Sequence, residues 1–389
     1  MALPDIINFD DLRRAARRRL PKIAFDFIDG AAEDEDNLAR NVAAFRDFRL
    51  LPRFLSADVT TRDQTTELFG RTYAGPVGIG PTGLAGLFRP GADLMLAEAA
   101  RDANVPVVMS GASTALMEDF ARVAPEHGWY QLYLARDRNI SEDQVRRAAD
   151  AGLQTLVLTL DVPVNSKRER NLRNGFVRPY RVSWAARCEA LLHPAWLAQY
   201  LRHGMPYQSN WVKYARPGAS VDDVLDFQSS QMPVPVTWAD VEMCRRLWRG
   251  NFVLKGVMDP GDARRAVEAG VDGVIVSNHG GRQLDRAPAA IEALPGVVDA
   301  VGSRTTVMFD SGIRRGADVV TALCLGAKYV FQGRMTLFGV TVAGREGAQK
   351  GLAILRDEVD RVMVHIGAPE IAALGPHCIW KSHPTNAVV

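Results

Sequence analysis

Hydrophobic residues gather along the chain in eight short runs rich in valine, isoleucine and leucine, without the polar alternation of a half-exposed strand. Runs of this kind predict strands that are buried on both faces, as in parallel sheets. The predicted strands are 77–81, 105–110, 129–134, 155–161, 252–256, 273–277, 305–310 and 329–333.

Most of these runs are followed by helical periodicity. The clearest predicted helices are 93–102, 141–151, 260–269 and 317–325, with Ser141 as an N-cap and Gly152 just past the end of the second. Eight strands that alternate with helices predict an α/β fold closed into a (β/α)8 TIM barrel. The alternative is a doubly wound open sheet. That fold needs a glycine-rich turn after its first strand, and GPTGLAG at 80–86 lacks the dinucleotide-binding spacing.

Two segments interrupt the repeat within what we predict to be one domain, 1–389. Residues 1–70 predict a helical cap that begins near Asn8 and restarts after Pro21, and residues 178–235 predict an insertion between strands four and five. Within it, 178–218 carries six Lys and Arg against one Glu, with seven Trp and Tyr interleaved. This composition is typical of a surface in a lipid headgroup layer. The alternative is an active-site lid or subunit contact whose aromatic residues simply pack.

Composition narrows the class of protein. The 389 residues carry 47 Lys and Arg against 45 Asp and Glu, a net charge of +2, which argues against a nucleic-acid partner. Four scattered cysteines show neither disulfide nor zinc spacing, so we expect reduced thiols, no metal and a cytoplasmic location. No apolar run approaches the ~20 residues that cross a bilayer, which leaves peripheral association with the inner face of the membrane as the possible contact.

Candidate chemistry lies where the strands end, because the loops at the C-terminal face of a barrel converge there. The sixth run is followed by SNHGGRQLD at 277–285, which places His279 as a base beside Arg282 as a carboxylate clamp. The fourth run ends at Asp161, which can hold an imidazole in one tautomer, and Arg168 follows it. The alternatives are a solvated loop histidine, a turn aspartate and a surface ion pair for Arg168.

Other strand ends indicate a flavin nucleotide. Lys255 ends an apolar run, and since a buried ammonium is costly without a partner, we expect it to face a stable anion such as a reduced flavin. The alternative is a lysine that reaches out of the barrel mouth. Glycine-bearing loops after strands seven and eight are where barrels bind phosphate. Here they supply Asp310, suited to a ribityl hydroxyl, together with Gly312, Arg314, Gly333 and Arg334.

The remaining strand ends carry small or hydrogen-bonding side chains that suit the edge of a heterocycle. Each of them also has an ordinary turn or packing role as its alternative. These residues are Pro81, Thr82, Gly83, Ser110, Gln131, Tyr133 and Thr159.

Five segments together resemble the FMN-dependent 2-hydroxy-acid dehydrogenase and oxidase family over nearly the whole chain: LPKIAFDFIDGAAEDE from Leu20, QLY from Gln131, LTLDVPV from Leu158, SNHGGRQLD and DSGIRRG from Asp310. The resemblance implies FMN as cofactor and His279 as catalytic base oriented by Asp161. It further implies Arg168 and Arg282 on the substrate carboxylate, Tyr133 on the reacting hydroxyl and Lys255 beside the anionic flavin. The implied flavin-binding residues are Pro81, Thr82, Gly83, Ser110, Gln131, Thr159, Lys255, Ser277, Asp310, Gly312, Arg314, Gly333 and Arg334.

Within the family, residues 165–174 and 193–206 are most similar to the branch that oxidises (S)-mandelate, in which the insertion binds the membrane. The implied reaction is oxidation of an (S)-2-hydroxy acid to the 2-keto acid by hydride transfer to flavin N5. Removal of the carbon-bound proton by His279 is the alternative. Gly83 resembles dehydrogenases that pass electrons to a membrane quinone rather than to oxygen, and the resemblance implies a homotetramer.

One position departs from the family pattern. Phe27 stands where the family usually has a carboxylate-binding tyrosine, so we expect a bulkier or more apolar substrate, bound through one hydrogen bond fewer. The alternatives within the family are an L-lactate dehydrogenase and an oxygen-using oxidase. Outside it they are a non-redox FMN barrel isomerase and a catalytically idle flavoprotein that binds the membrane surface.

Overall fold

The computed structural model describes residues 3–55, 57–178 and 180–380; the predicted cap and insertion therefore include residues 1, 2, 56 and 179, which lie outside the described part. A short antiparallel hairpin precedes eight barrel strands. The strands are β1 (Thr66–Leu68), β2 (Arg71–Tyr73), β3 (Val77–Ile79), β4 (Val107–Met109), β5 (Gly128–Leu132), β6 (Thr155–Thr159), β7 (Asn251–Lys255), β8 (Gly273–Val276), β9 (Thr306–Phe309) and β10 (Tyr329–Gln332).

Strands β3 to β10 form a closed parallel barrel in chain order, and β10 pairs with β3 to complete the circle. The predicted (β/α)8 barrel is confirmed, and the open sheet is excluded. Each of the eight predicted runs overlaps a strand, and β5 and β7 begin one residue before the predicted start. The continuous apolar runs predict these strands well because nearly every residue in them is buried on both faces of the sheet. Val108, Trp129 and Phe331 belong to a buried cluster inside the barrel, against which Tyr73 of the hairpin packs.

The helices surround the barrel and form the cap and the insertion. They are α1 (Phe9–Arg19), α2 (Lys22–Asp29), α3 (Asp36–Ala43), α4 (Ala92–Asp102), α5 (Met117–Val123), α6 (Arg138–Asp150), α7 (Glu169–Arg173), α8 (Trp184–Ala190), α9 (Pro194–His203), α10 (Val221–Gln231), α11 (Trp238–Leu247), α12 (Pro260–Glu268), α13 (Ala290–Val301), α14 (Gly316–Cys324) and α15 (Arg334–Ile366). Helix α15 is interrupted at Ala343 and Gly344, whose backbone is not helical. Among the described helices, none combines the length and apolar character needed to cross a membrane.

The predicted helix starts are right for the cap and wrong for α6. Asn8 caps α1, accepting a hydrogen bond from the backbone N–H of Asp11 (2.9 Å), and α2 begins directly after Pro21. Helix α6 begins at Arg138 rather than after Ser141, because Asp137 caps it. The Ser141 hydroxyl instead accepts the N–H of Ala135 (2.8 Å) and ties the helix to the loop after β5.

Cap helix α3 packs directly on the loop after β8. The buried side chain of Asn278 donates to Oδ1 of Asn37 (2.7 Å) and Oδ1 of Asn41 (2.8 Å), and it accepts from Nδ2 of Asn41 (2.8 Å). Gly281 has a left-handed φ of 77°, and a Cβ there would lie 2.6 Å from the backbone nitrogen of Leu38. The cap is therefore part of the wall that holds this loop.

The insertion is packed onto the barrel by buried tryptophans. Trp211 is 1% exposed and clusters with Ile140 of α6 and Val224 of α10. The indole N–H of Trp196 donates to the carbonyl of Leu87 (2.7 Å). Trp196 and Trp211 therefore pack within the chain and join the insertion to the barrel.

Three of the six basic side chains of residues 178–218 form ion pairs within the chain. Arg178 pairs with Asp222 and Asp226, Lys213 with Asp143, and Arg216 with Asp223. The insertion exposes Arg181, Arg187 and Arg202 and, beside them, apolar surface on α8 and α9 and the turn between them. The most exposed side chains are Trp184 (77%), Leu191 (65%), Leu192 (76%) and Leu201 (75%).

Trp211→Ala should loosen the insertion without unfolding the barrel. Truncating a buried aromatic residue costs about 3–5 kcal/mol, and here the lost contacts join the insertion to α6. We expect faster hydrogen–deuterium exchange in α10 and in residues 209–214, with β5 to β8 unchanged. Trp184→Ala, at an exposed tryptophan of the same insertion, is the matched control. Equal exchange in the two variants would contradict the anchoring role.

Candidate active site

A cavity of about 370 Å³ opens at the C-terminal ends of the barrel strands. Strand-end loops, the cap and the insertion all contribute to its walls. Most of the predicted site residues line it: Phe27, Pro81, Thr82, Gly83, Tyr133, Thr159, Arg168, Lys255, His279, Arg282, Asp310, Gly312, Arg314, Gly333 and Arg334.

The remaining predicted residues lie directly behind the wall. Asp161 bonds His279, Ser277 bonds Lys255, and the Ser110 hydroxyl donates to Oε1 of Gln131 (3.3 Å). The side chains singled out at distant strand ends therefore meet in one place.

His279 is held with one ring nitrogen free toward the cavity. Its Nδ1 lies 2.8 Å from Oδ1 of Asp161, and because a carboxylate only accepts, Nδ1 carries the proton and Nε2 is the basic atom. The hydroxyl of Tyr133 lies 3.4 Å from Nε2. Burial raises the pKa of Tyr133 to about 12, so the phenol stays protonated and donates.

The burial of this pair favours a neutral imidazole. Burial lowers the pKa of His279 below its ordinary value, and the carboxylate of Asp161 offsets only part of that effect. Burial alone would raise the pKa of Asp161, but the attraction of His279 holds it below its ordinary value. At neutral pH the site therefore contains an ionised aspartate and an unprotonated Nε2, which is the resting state of a general base.

The backbone at this point is tightly constrained. His279 has a φ of 59°, in the left-handed region that non-glycine residues rarely adopt. Its N–H donates to Oγ of Ser277 (3.1 Å), and the N–H of Gly280 donates to Oγ of Ser311 (3.0 Å). These bonds and the packing of α3 fix the direction of the imidazole.

Four buried or half-buried arginines line the cavity without a carboxylate partner in the described chain. Their partners are neutral oxygens. Arg282 donates to the carbonyl of Gly30 (2.7 Å), Arg334 to those of Ile28, Gly30 and Gly280, Arg314 to that of Ile313, and Arg168 to Oε1 of Gln283 (3.0 Å). Burial lowers the pKa of all four, and repulsion between guanidinium groups adds to this at Arg282 and Arg314. The cavity is therefore built to receive anions.

Lys255 occupies a different electrostatic position. Its ammonium lies 3.0 Å from Oδ2 of Asp310 and 2.9 Å from Oγ of Ser277. Burial alone would lower the pKa of Lys255, but the carboxylates of Asp310 and Asp161 raise it above its ordinary value. The lysine is thus a permanent cation facing the cavity from the end of β7, and it does not reach out of the barrel mouth.

The residues present fit FMN. Thr159 Oγ1 and Gln131 Nε2 are buried at the strand ends without a partner in the described chain, as polar groups awaiting a heterocycle would be. Helix α15 begins after Gly333, and the N–H of Thr336 in its first turn donates to Oε1 of Gln332 (3.2 Å). The N–H groups of Arg334 and Met335 precede the first intrahelical hydrogen bond, so they can bind a phosphate at the helix N-terminus. Arg314 and Arg334 would complete that phosphate site, and Asp310 lies beside it for a ribityl hydroxyl.

Sequence reasoning missed the residues that the insertion and the loop after β6 contribute to the wall. These are Asn165, Gln208 and Gln228. Asn165 opens the 165–174 segment, but its residue type alone does not mark it as a wall residue, and Gln208 and Gln228 reach the cavity only through the fold of the insertion. A second cavity of about 200 Å³ lies beside the first, between α9 and the loop after β3, and Gln199 and Tyr200 line it.

Phe27 is placed as predicted, beside the arginine clamp. Its ring lies 5.5 Å from Cζ of Arg282 and packs edge-on against Phe176 (5.4 Å). Without a hydroxyl it offers the substrate carboxylate no hydrogen bond, so it supports the guanidinium through its ring face.

Comparison with known proteins identifies the family of this chain. The model of a family described as FMN-dependent dehydrogenase matches residues 16–381. The (S)-mandelate dehydrogenase of Pseudomonas putida is 40% identical over 382 residues, which cover 98% of this chain and 96% of that protein. An L-lactate dehydrogenase of Caulobacter vibrioides is 38% identical over 377 residues, covering 96% and 97%.

Solved structures of similar proteins support the same family assignment. A crystal structure of (S)-mandelate dehydrogenase, described as a monotopic membrane protein, superposes with a TM-score of 0.93 at 39% identity, covering 97% of this chain and all of that one. A mandelate oxidase structure superposes with a TM-score of 0.80 at 36% identity, covering 95% and 97%.

Asp161→Asn should lower the pKa of His279 further. The variant keeps the shape of the side chain but removes the negative charge that partly offsets burial, and an adjacent opposite charge shifts a pKa by about 1–3 units. An NMR pH titration of the ring measures the shift. Asp299→Asn, at an exposed carboxylate of α13, is the control, and an unchanged His279 pKa in Asp161→Asn would contradict the pairing.

Proposed function

Because the chain belongs to the FMN-dependent dehydrogenase family, we propose that it oxidises a bulky, apolar (S)-2-hydroxy acid of the mandelate type to the 2-keto acid. The observation that carries this proposal is the meeting of an unprotonated imidazole with two unpaired guanidinium groups in one cavity. The 1–389 chain acts as one catalytic domain.

The arginines bind and orient the substrate. Arg168 and Arg282 lack carboxylate partners in the described chain, so an incoming carboxylate satisfies both, and it is held in one orientation by paired charge-assisted hydrogen bonds. The ring of Phe27 and the small Ala112 in the cavity wall favour a large apolar side chain over the methyl group of lactate.

His279 moves the proton. Bound FMN supplies a two-electron acceptor at N5. Nε2 of His279 takes the proton of the substrate hydroxyl, and the phenol of Tyr133 donates a hydrogen bond to the same hydroxyl oxygen. Asp161 then stabilises the imidazolium through the 2.8 Å contact at Nδ1, and Lys255 supplies a fixed positive charge beside the cofactor.

We also propose that the insertion holds the protein on a membrane surface and that a membrane quinone receives the electrons. The four exposed apolar side chains of α8, α9 and the turn between them support this, since a lipid surface would bury them. Gly83 lines the cavity. It supports a quinone as acceptor because, by the family resemblance, glycine at this position is typical of dehydrogenases that pass electrons to a membrane quinone rather than to oxygen. The homotetramer remains a prediction of the family resemblance.

His279→Ala should abolish oxidation while FMN stays bound. The base is lost, but the phosphate and ribityl contacts come from other loops, so the yellow colour should survive. We expect anaerobic (S)-mandelate to bleach the wild-type flavin and to reduce the variant at least 10³-fold more slowly, in line with the loss of a general base. His365→Ala, at an exposed histidine, is the control. Wild-type bleaching in His279→Ala would contradict the proposal, as would failure of (S)-mandelate to bleach the wild-type protein.

Replacing Trp184, Leu191, Leu192 and Leu201 by Ser should release the protein from lipid. We expect co-sedimentation with phosphatidylcholine–phosphatidylglycerol vesicles to fall to background in this variant, with flavin reduction unchanged. Phe54→Ser with Leu55→Ser, which removes two equally exposed apolar residues outside the insertion, should still sediment. Undiminished sedimentation of the fourfold variant would assign the lipid contact, if any, to another surface.

A further inference from the structure

The two loops that carry the carboxylate-binding arginines meet on one turn of the cap. This cap turn, residues 30–35, joins α2 to α3. The carbonyl of Gly30 accepts a hydrogen bond from Arg282 (2.7 Å). The N–H of Glu33 donates to the carbonyl oxygen directly before Arg168 (2.8 Å). The separation of the two guanidinium groups therefore depends on the cap turn as well as on the barrel.

Arg170 joins the loop of Arg168 to the cap through side chains. It lies two residues after Arg168, in α7, and its Nη1 is 3.1 Å from Oδ2 of Asp29. Its Nη2 forms a second ion pair, with Glu35. The side chains of Asp29 and Glu35 are only 8% and 16% exposed, so water competes little for these contacts. Arg170 thus connects α7 to both ends of the cap turn.

The two carboxylates are themselves held in place. Arg13 of α1 donates to both carboxylate oxygens of Asp29, and Oε1 of Glu35 accepts the N–H of Ala31 (2.9 Å). Burial alone would raise the pKa of Asp29, but Arg13 and Arg170 hold it below its ordinary value, so Asp29 is ionised at neutral pH. Both acceptors are therefore fixed independently of Arg170.

Arg168 has no comparable anchor of its own. Within the described chain its guanidinium donates to neutral oxygens, among them Oε1 of Gln283 (3.0 Å) and Oγ of Ser166 (3.1 Å). Paired hydrogen bonds to a carboxylate require a fixed distance and angle, and a displacement of about 1 Å caused by a distant mutation can cost up to about 100-fold in activity. The position of Arg168 is therefore set by where its loop and α7 are held.

We propose that Arg170 is a positioning residue for substrate binding, which holds Arg168 at the distance from Arg282 that fits a single carboxylate. The inference rests on the proposed function and adds to it a residue outside the described lining of the cavity. His279 is held by other contacts, to Asp161 and within the loop after β8, so proton transfer does not depend on Arg170. Its loss should impair substrate affinity and spare the chemical step.

The test removes both ion pairs and keeps a long side chain. In the Arg170→Met holoenzyme, binding of phenylglyoxylate, the keto acid derived from mandelate, is followed by the change in the flavin spectrum. We expect its Kd to rise about tenfold, as for the weakening of one charge-assisted hydrogen bond. The rate of anaerobic flavin reduction at saturating (S)-mandelate, and its pH profile, should stay at the wild-type values because His279 keeps its partners. A wild-type Kd, or a shifted pH profile, would overturn the inference.

Arg173→Met is the matched control. Arg173 lies in the same short helix, but it is 74% exposed and pairs with Glu169 of its own helix rather than with the cap. Its replacement should leave the Kd for phenylglyoxylate unchanged. An equal rise in the two variants would overturn the inference, because it would reflect general loosening of α7.

A second variant covers the case in which Arg170→Met does not fold. Glu35→Gln keeps the shape of the side chain and removes one of the charges that Arg170 binds, so we expect a rise in Kd of about threefold. An unchanged Kd in Glu35→Gln would overturn the inference. So would an equal effect of Glu35→Gln in the wild type and in Arg170→Met, since two residues of one contact are not additive. Wild-type protein that neither binds phenylglyoxylate nor is bleached by (S)-mandelate would instead overturn the proposed function itself.

Discussion

The structure depends above all on a surplus of buried positive charge at the mouth of the barrel. Arg282 and Arg334 are held by backbone carbonyl oxygens of the cap and the loop after β8, which fix their positions without neutralising them. Carbonyl dipoles stabilise a guanidinium only in part, so the remaining charge has to be met by ligands. A substrate carboxylate and a cofactor phosphate are the anions that this arrangement calls for. The two carboxylates inside the cavity region, Asp161 and Asp310, are already engaged by His279 and Lys255.

The cap is what makes this arrangement rigid. Helix α3 meets the loop after β8 through the amide network of Asn278, and it approaches Gly281 so closely that no side chain fits between them. The left-handed backbone of His279 is therefore maintained by contacts outside the barrel. Residues far apart in sequence, in the first turn of α3 and the loop after β8, thus act as one unit that aims the imidazole. The barrel alone would supply the strand ends but not their orientation.

Much of the fold and of the charged site could be predicted because both follow from local patterns. Strands buried on both faces are continuous apolar runs, and a barrel brings their ends together, so His279, Asp161 and Lys255 could be placed in one site before any coordinates. The start of α6 could not be placed, because Asp137 and Ser141 are both good caps and the choice depends on a tertiary bond from Ser141 to Ala135. The ion pairs of Arg178 could not be predicted, since the carboxylates of Asp222 and Asp226 lie outside the basic segment 178–218. Gln208 could not be predicted as a wall residue either, because it reaches the cavity only through the path of the chain in the insertion.

The insertion serves the site and the surface through different residues. Trp196 and Trp211 are buried against the barrel, so the wall containing Gln208 forms from contacts within the chain and does not need a lipid to complete it. The exposed leucines of α8, α9 and the turn between them take no part in that wall. Substrate binding and the proposed membrane contact can therefore be separated by mutation, even though they share about thirty residues of chain. A membrane would instead affect what reaches the site, because it would set the orientation of the cavity mouth relative to the bilayer.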